Sequence, residues 1–115
     1  MQTDTKDLDA ILAKMFIANV ALGFGVTNTA VFTKKKVPSH LCYVRQTAMY
    51  LMHVVCQYSY GRVGKAFELH PSTVAYSCQT IENFRDDPVF DETLMHLEVC
   101  IQMTLTQFKQ NKLRA

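Results

Sequence analysis

Leu8, Ile11, Leu12, Met15, Phe16 and Val20 recur at intervals that line one face of an α-helix. Asp4, Asp7 and Asp9 lie near the start of that run, where the helix dipole favours acids. A first helix is therefore predicted from about Lys6 to Leu22, ended or bent by Gly23 and Gly25. Val26 to Phe32 reads as a short turn of helix, and Lys34-Lys35-Lys36 as a basic loop. Pro38-Ser39 marks a new start, with Ser39 as the cap. The next stripe is Leu41, Val44, Ala48, Leu51, Met52 and Val55, with Arg45, Gln46 and His53 to the sides. It predicts a helix from about Ser39 to Gln57. After a break at Tyr58 to Gly61, Tyr60 to Phe67 reads as a short helix that buries Val63, Ala66 and Phe67. A further helix is predicted over 71–86. Asp87-Pro88 then opens a last, long one with the stripe Phe90, Leu94, Leu97, Ile101, Leu105 and Phe108. Lys109, Lys112 and Arg114 suit its carboxyl end. No strand is predicted, so the fold class is all-α: a helical bundle with short connections.

Composition narrows the picture. A chain of 115 residues, 49% of them hydrophobic, suits one domain over 1–115 and is too apolar for a disordered tail. The longest apolar run, Ile11 to Val26, carries Lys14, Asn19 and two glycines. It falls short of the ~20 residues of a membrane span and lacks the pattern of a signal peptide. A soluble, cytoplasmic protein without membrane contact is expected. Cys42, Cys56, Cys78 and Cys100 form no CxxC pair and read as small hydrophobes. His53-x-x-Cys56 and His96-x-x-x-Cys100 are single pairs without a second half, so neither a metal nor any other cofactor is expected.

The net charge of +2 says less than its distribution. From Thr33 to Phe67 there is no acid, while Lys34, Lys35, Lys36, Arg45, Arg62 and Lys65 are basic. From Glu68 to Glu98 the acids answer only Arg85. Such polarity presents one face to anions.

The stretch FELHPSTVAYSCQTIENF, 67–84, gives that face a purpose. A helix starting at Pro71 puts Val74, Cys78, Ile81 and Arg85 on one line, with Phe84 beside it. Ser72, Thr73, Tyr76, Gln79, Thr80 and Asn83 fall on the opposite, uncharged side. Two helices across a tight turn, the second tipped with small polar groups, follow the helix-turn-helix plan. In that plan the first residues of the second helix meet base edges in the major groove, and its positive end favours phosphate. Enzyme chemistry finds no support: His40, His53, His70 and His96 sit near no nucleophile–base arrangement, and Ser72-Thr73 lacks an oxyanion loop.

The run VRQTAMYLMHVVCQYSYGRVGKAFELHPSTVAYSCQTIE resembles the carboxyl-terminal DNA-binding domain (domain IV) of the bacterial replication initiator DnaA. The residues that carry it are Arg45, Gln46, Ala48, Met49, Leu51, Ser59, Gly64, Phe67, Thr73, Val74, Ile81 and Glu82. Val20 to Lys36 resembles that family's first helix and basic loop, so the likeness spans 20–98, with helical extensions at both ends. IENFRDDPVFDETLMHLE also looks like small stand-alone alphaproteobacterial regulators with only this domain. The resemblance implies a TrpR/DnaA domain IV-like helix-turn-helix that binds double-stranded DNA and regulates transcription.

Its residue roles follow as implications. Lys36, with Lys34 and Lys35, would lie on the backbone or in the minor groove. Arg45 would hold a phosphate, and Tyr60 and Gly61 would offer backbone N–H groups to another. Arg62, Lys65 and Gln79 complete the backbone set. Ser72, Thr73, Tyr76 and His70 would reach bases, Thr73 through its methyl on a thymine. Three departures alter the reading. His70-Pro71 stands where the family has Asp-His, after a turn one residue shorter, so the initiator's own DNA box is not the expected target. The family's basic pair on the outer recognition helix is Gln79 and Thr80 here, which predicts fewer phosphate contacts and a shallower salt dependence. The family's histidine two residues past Val74 is Tyr76. No GxxxxGK[ST] loop is present, so the chain reads as a DNA-reading head without an ATP-driven motor. A weak monomer invites a homodimer through helices 6–22 and 98–112, if these do not simply pack on each other in one chain. The alternative function is a protein–protein interaction module of the same fold that no longer binds DNA.

Overall fold

α1, Thr5–Gly23, buries Leu12, Ala13, Phe16, Ile17, Val20 and Ala21. Its apolar face is centred further round than the predicted stripe, leaving Ile11 47% exposed. The computed structural model describes residues 5–27 and 41–114, with side chains described over 8–27 and 41–110. The residues expected as a basic loop, Lys34 to Lys36, the 28–32 part of the turn of helix expected over Val26 to Phe32, and the expected Ser39 cap lie outside the described residues; Val26 and Thr27 are not helical. α1 ends as expected at its glycines: Gly25 adopts φ +71, and Val26 N–H bonds back to Ala21 O at 2.8 Å, a left-handed cap that suits glycine.

α2, Cys42–Cys56, is the central element and touches the other four helices. Val44, Thr47, Ala48, Met49, Tyr50, Leu51 and Met52 are all buried. Gln57, in the left-handed conformation, ends it. α3, Tyr60–Phe67, and α4, Pro71–Phe84, pack on each other, and α4 also packs on α2. α5, Pro88–Arg114, starts where Asp87 Oδ1 accepts from Val89 N–H at 2.9 Å, and buries Leu94, Leu97, Ile101 and Leu105. α1 and α5 pack within the one chain: Asn19 Nδ2 donates to Thr104 Oγ1 at 3.1 Å. The architecture is an all-α bundle around α2, with no strand among the described residues.

Two polar clamps tie the helices together. Arg85, at the end of α4, donates to Asp91 Oδ1 of α5 at 2.6 Å, to Tyr50 Oη of α2 at 3.0 Å and to Glu98 Oε1 at 3.4 Å. The Tyr50 hydroxyl donates to Glu82 Oε2 at 2.6 Å, which completes a network over three helices. The second clamp joins α1 to α3: Arg62 Nε and Nη2 reach the two oxygens of Asp9 at 2.8 and 3.1 Å. The same guanidinium lies 3.6 Å over the Tyr58 ring.

Candidate nucleic-acid interface

The site is built on the turn between α3 and α4. α3 ends in a left-handed residue, Glu68 at φ +59, with Leu69 N–H on Gly64 O at 2.8 Å and Glu68 N–H on Lys65 O at 3.4 Å. This paired pattern usually has glycine at the left-handed position. The turn can close because Gly64 has no side chain: a Cβ there would stand 2.5 Å from Leu69 O. Phe67, Val63 and Val74 are buried beneath it. The turn therefore sits directly on α3, and Pro71 begins α4.

His70 is the N-cap of α4. Its Nδ1 accepts from Ser72 N–H at 3.1 Å and lies 2.8 Å from Ser72 Oγ. While Nδ1 accepts from Ser72 N–H, the ring hydrogen is on Nε2. Thr73 and Val74 N–H both turn back to His70 O, and Pro71 has no N–H. The first-turn donors of α4 are thus satisfied internally. The positive end of α4 therefore acts on an anion through its dipole rather than through free N–H donors.

The outer face of α4 matches its sequence reading. Ser72, Thr73, Tyr76, Gln79 and Asn83 are exposed, Tyr76 at 70%. Val74, Cys78 and Ile81 are buried opposite, whereas Phe84 is half exposed. Thr80 is partly covered, and its hydroxyl donates to Tyr76 O at 2.9 Å. Gln79 Nε2 donates to Asn83 Oδ1 at 3.0 Å. Ser77 is buried as well.

At the other end of the motif, Ser59 caps α3 by accepting from Arg62 N–H at 3.1 Å, and Val63 N–H bonds Ser59 O. No bond to the Tyr60 or Gly61 N–H joins them among the described residues, so these are the open donors of that turn. Tyr60 stacks on His53 at 4.5 Å, and the His53 ring Nδ1–H donates to Tyr58 O at 2.8 Å. His53 and the unpredicted cap Ser59 fix the approach to α3; Ser-x-x-Arg before an apolar pair was the available signal.

The cations divide into two groups. Arg62 and Arg85 are committed to carboxylates of the fold. Asp9 holds Arg62 and raises its pKa, and the planar face of Arg62 lies on Tyr58. Arg45 is half-buried on the first turn of α2, and its Nε has no partner among the described residues. Lys65 is exposed on α3 and makes no ion pair among the described residues. The far end of α4 is held by an aromatic row, Phe84 on Phe90 and Phe90 on Phe24, beside a cavity of about 310 Å³ that Tyr43 and Asp87 also line.

Among the described residues no His, Cys, Asp or Glu cluster could hold a metal ion, and no helix is long and apolar enough to cross a membrane. Cys56 and Cys78 have thiols pushed up to about 11 by burial.

No curated protein and no solved structure matches the chain. A family match exists over residues 14–81, from within α1 to the core-facing Ile81 of α4, and its description is the helix-turn-helix of the bacterial dnaA protein. It includes the clamped α3, the turn closed on Gly64 and the hydroxyl-tipped start of α4. The chain belongs to the bacterial DnaA helix-turn-helix family.

Proposed function

We propose that the chain is a sequence-specific double-stranded DNA-binding protein and a bacterial transcriptional regulator. The observation that carries this reading is the outer face of α4: exposed, uncharged and hydroxyl-bearing, on a helix whose start is braced against α3 at Gly64. Ser72, Thr73 and Tyr76 meet base edges in the major groove, and His70 presents its Nε2–H as a donor to a purine acceptor. Arg45, Lys65 and the Tyr60 and Gly61 amides hold phosphates beside it. Lys34, Lys35 and Lys36 belong to the same grip as backbone or minor-groove contacts, and Gln79 adds a neutral backbone contact. Arg62 acts through the fold, as the partner of Asp9. The protein works in the cytoplasm, where its DNA lies.

The test is retention of genomic fragments by the purified chain at low salt, followed by sequencing. A recurring site should emerge, and Thr73→Ala should lose ~1–3 kcal/mol there while blurring the preference at one position. If no fragment is retained even at low salt, DNA is not the target and the protein-interaction alternative takes its place.

A further inference from the structure

Beyond the DNA face, the outer surface of α5 is uncharged to an unusual degree. From Met95 to Gln107 it carries no Lys, Arg or Asp; the only acid in the stretch, Glu98, is half-buried against Arg85, and the only other titratable group beside Cys100 is the exposed His96, next to Glu92. Met95, Val99 and Met103 are 54%, 58% and 69% exposed and follow one another at one-turn spacing. The strip continues onto α1. Asn19 to Thr104 marks the seam between the two helices, and a Cβ at Gly23 would meet Leu97, so the helices run antiparallel. Leu22, 82% exposed, is one turn beyond Asn19, and Cys100 is one turn before Thr104. They flank the seam at the same end. Single exposed apolar residues are ordinary, but a contiguous strip over two helices is not.

We infer that this strip is where a second copy of the chain docks, α5 against α5 about a two-fold axis near Val99 and Met103. Charge argues for a like partner: an uncharged face offers nothing to select an acidic or basic protein, and two copies of it meet without repulsion. Area sets the strength. The strip is ~20 Å long at ~1.5 Å per residue and about two helices wide, roughly 400 Å². That is the upper end of what a monomer leaves exposed, and short of the ~800 Å² per partner of a stable complex. The dimer is therefore weak and concentration-dependent. The strip lies on α1 and α5, away from the α4 face that packs its back on α2 and α3, so pairing leaves both reading helices uncovered. The pairing does not depend on the DNA reading and is tested without DNA.

Sedimentation of the full chain from low to high micromolar concentration should show a shift from monomer to dimer. Met103→Glu and Val99→Lys, at exposed positions, should each abolish that shift with helix content and melting unchanged. In the unaltered chain, a short bis-maleimide should join two copies through the exposed Cys100. A chain that stays monomeric at high micromolar concentration, a Met103→Glu variant that pairs as the parent does, or a crosslink that bypasses Cys100 would each overturn the inference.

Discussion

His70 shows how one side chain sets the start of the reading helix. Its ring nitrogen replaces the oxygen usually found at an N-cap, holding Ser72 N–H at 3.1 Å. His70→Ala should lower stability by about 1 kcal/mol in urea unfolding, and His70→Asn, a better cap, should restore it. DNA binding should not follow the same pattern, because asparagine reaches less far; recovery of both together would assign His70 to capping alone. Tyr50 is a second case. Burial and the Glu82 carboxylate hold its proton above the ordinary 10.0, with Arg85 opposing. The folded chain thus binds this proton more tightly than the unfolded one. That contribution is complete below pH 10.0 and is lost as pH rises through the raised value. Cys56 and Cys78 act with the same sign between 9.0 and about 11. Tyr50→Phe should be about 1 kcal/mol less stable at neutral pH, and melting curves at rising pH should show the gap closing above pH 10.0.

Among the elements, the α3–turn–α4 unit was the most readable. Tyr60 to Phe67 and the start at Pro71 have the bounds that periodicity and proline predicted, and α4 ends two residues early, at Phe84. The stripes of α2 and α5 face the core as read, with Val55, Phe90 and Phe108 only partly buried, because a 3.6-residue repeat reports a core face directly. What spacing does not report is which helices meet. Asp9 and Arg62 are 53 residues apart, so an acid read as favouring the dipole turned out to hold the cation read as a DNA contact. Ile11 was assigned inward and lies outward, because α1 rotates to bury Ala13, Ile17 and Ala21, residues small or redundant enough to escape the stripe. Gly64 was legible only as a family match; its reason is the 2.5 Å approach of Leu69 O. Gly64→Ala should therefore destabilise by about 1–3 kcal/mol despite the helix preference of alanine, since a backbone carbonyl cannot swing aside as a side chain would. Urea unfolding measures the sign, and a stabilised variant would mean that the turn is looser than this contact implies.

For the whole molecule, the decisive quantity is how few positive charges are left for DNA once the fold has used its own. Arg62 and Arg85 are paired internally, and α4 has no other cation. Of the cations assigned to DNA, Arg45 and Lys65, with Lys34, Lys35 and Lys36, make five phosphate partners for one copy; Lys6, Lys14, Lys109, Lys112 and Arg114 are not assigned to DNA. Each phosphate neutralised contributes ~0.9 to the slope of log affinity against log salt, so one copy should show a slope no steeper than about −4.5. Arg45→Ala should reduce the steepness by about 1 and weaken all sequences alike, whereas Thr73→Ala should leave the slope unchanged and weaken the preferred site alone. Arg62→Ala separates the two uses of arginine. If its charge belongs to Asp9, the variant loses stability while a refolded sample keeps the parental slope; if it grips phosphate, the slope falls by about 1 with it. Titrations at several salt concentrations, read beside urea unfolding of the same variants, distinguish these outcomes. A parental slope well beyond −4.5 on a half-site would mean that cations outside this set of five also reach phosphate, and a slope that falls with Arg62→Ala would name Arg62 as one of them.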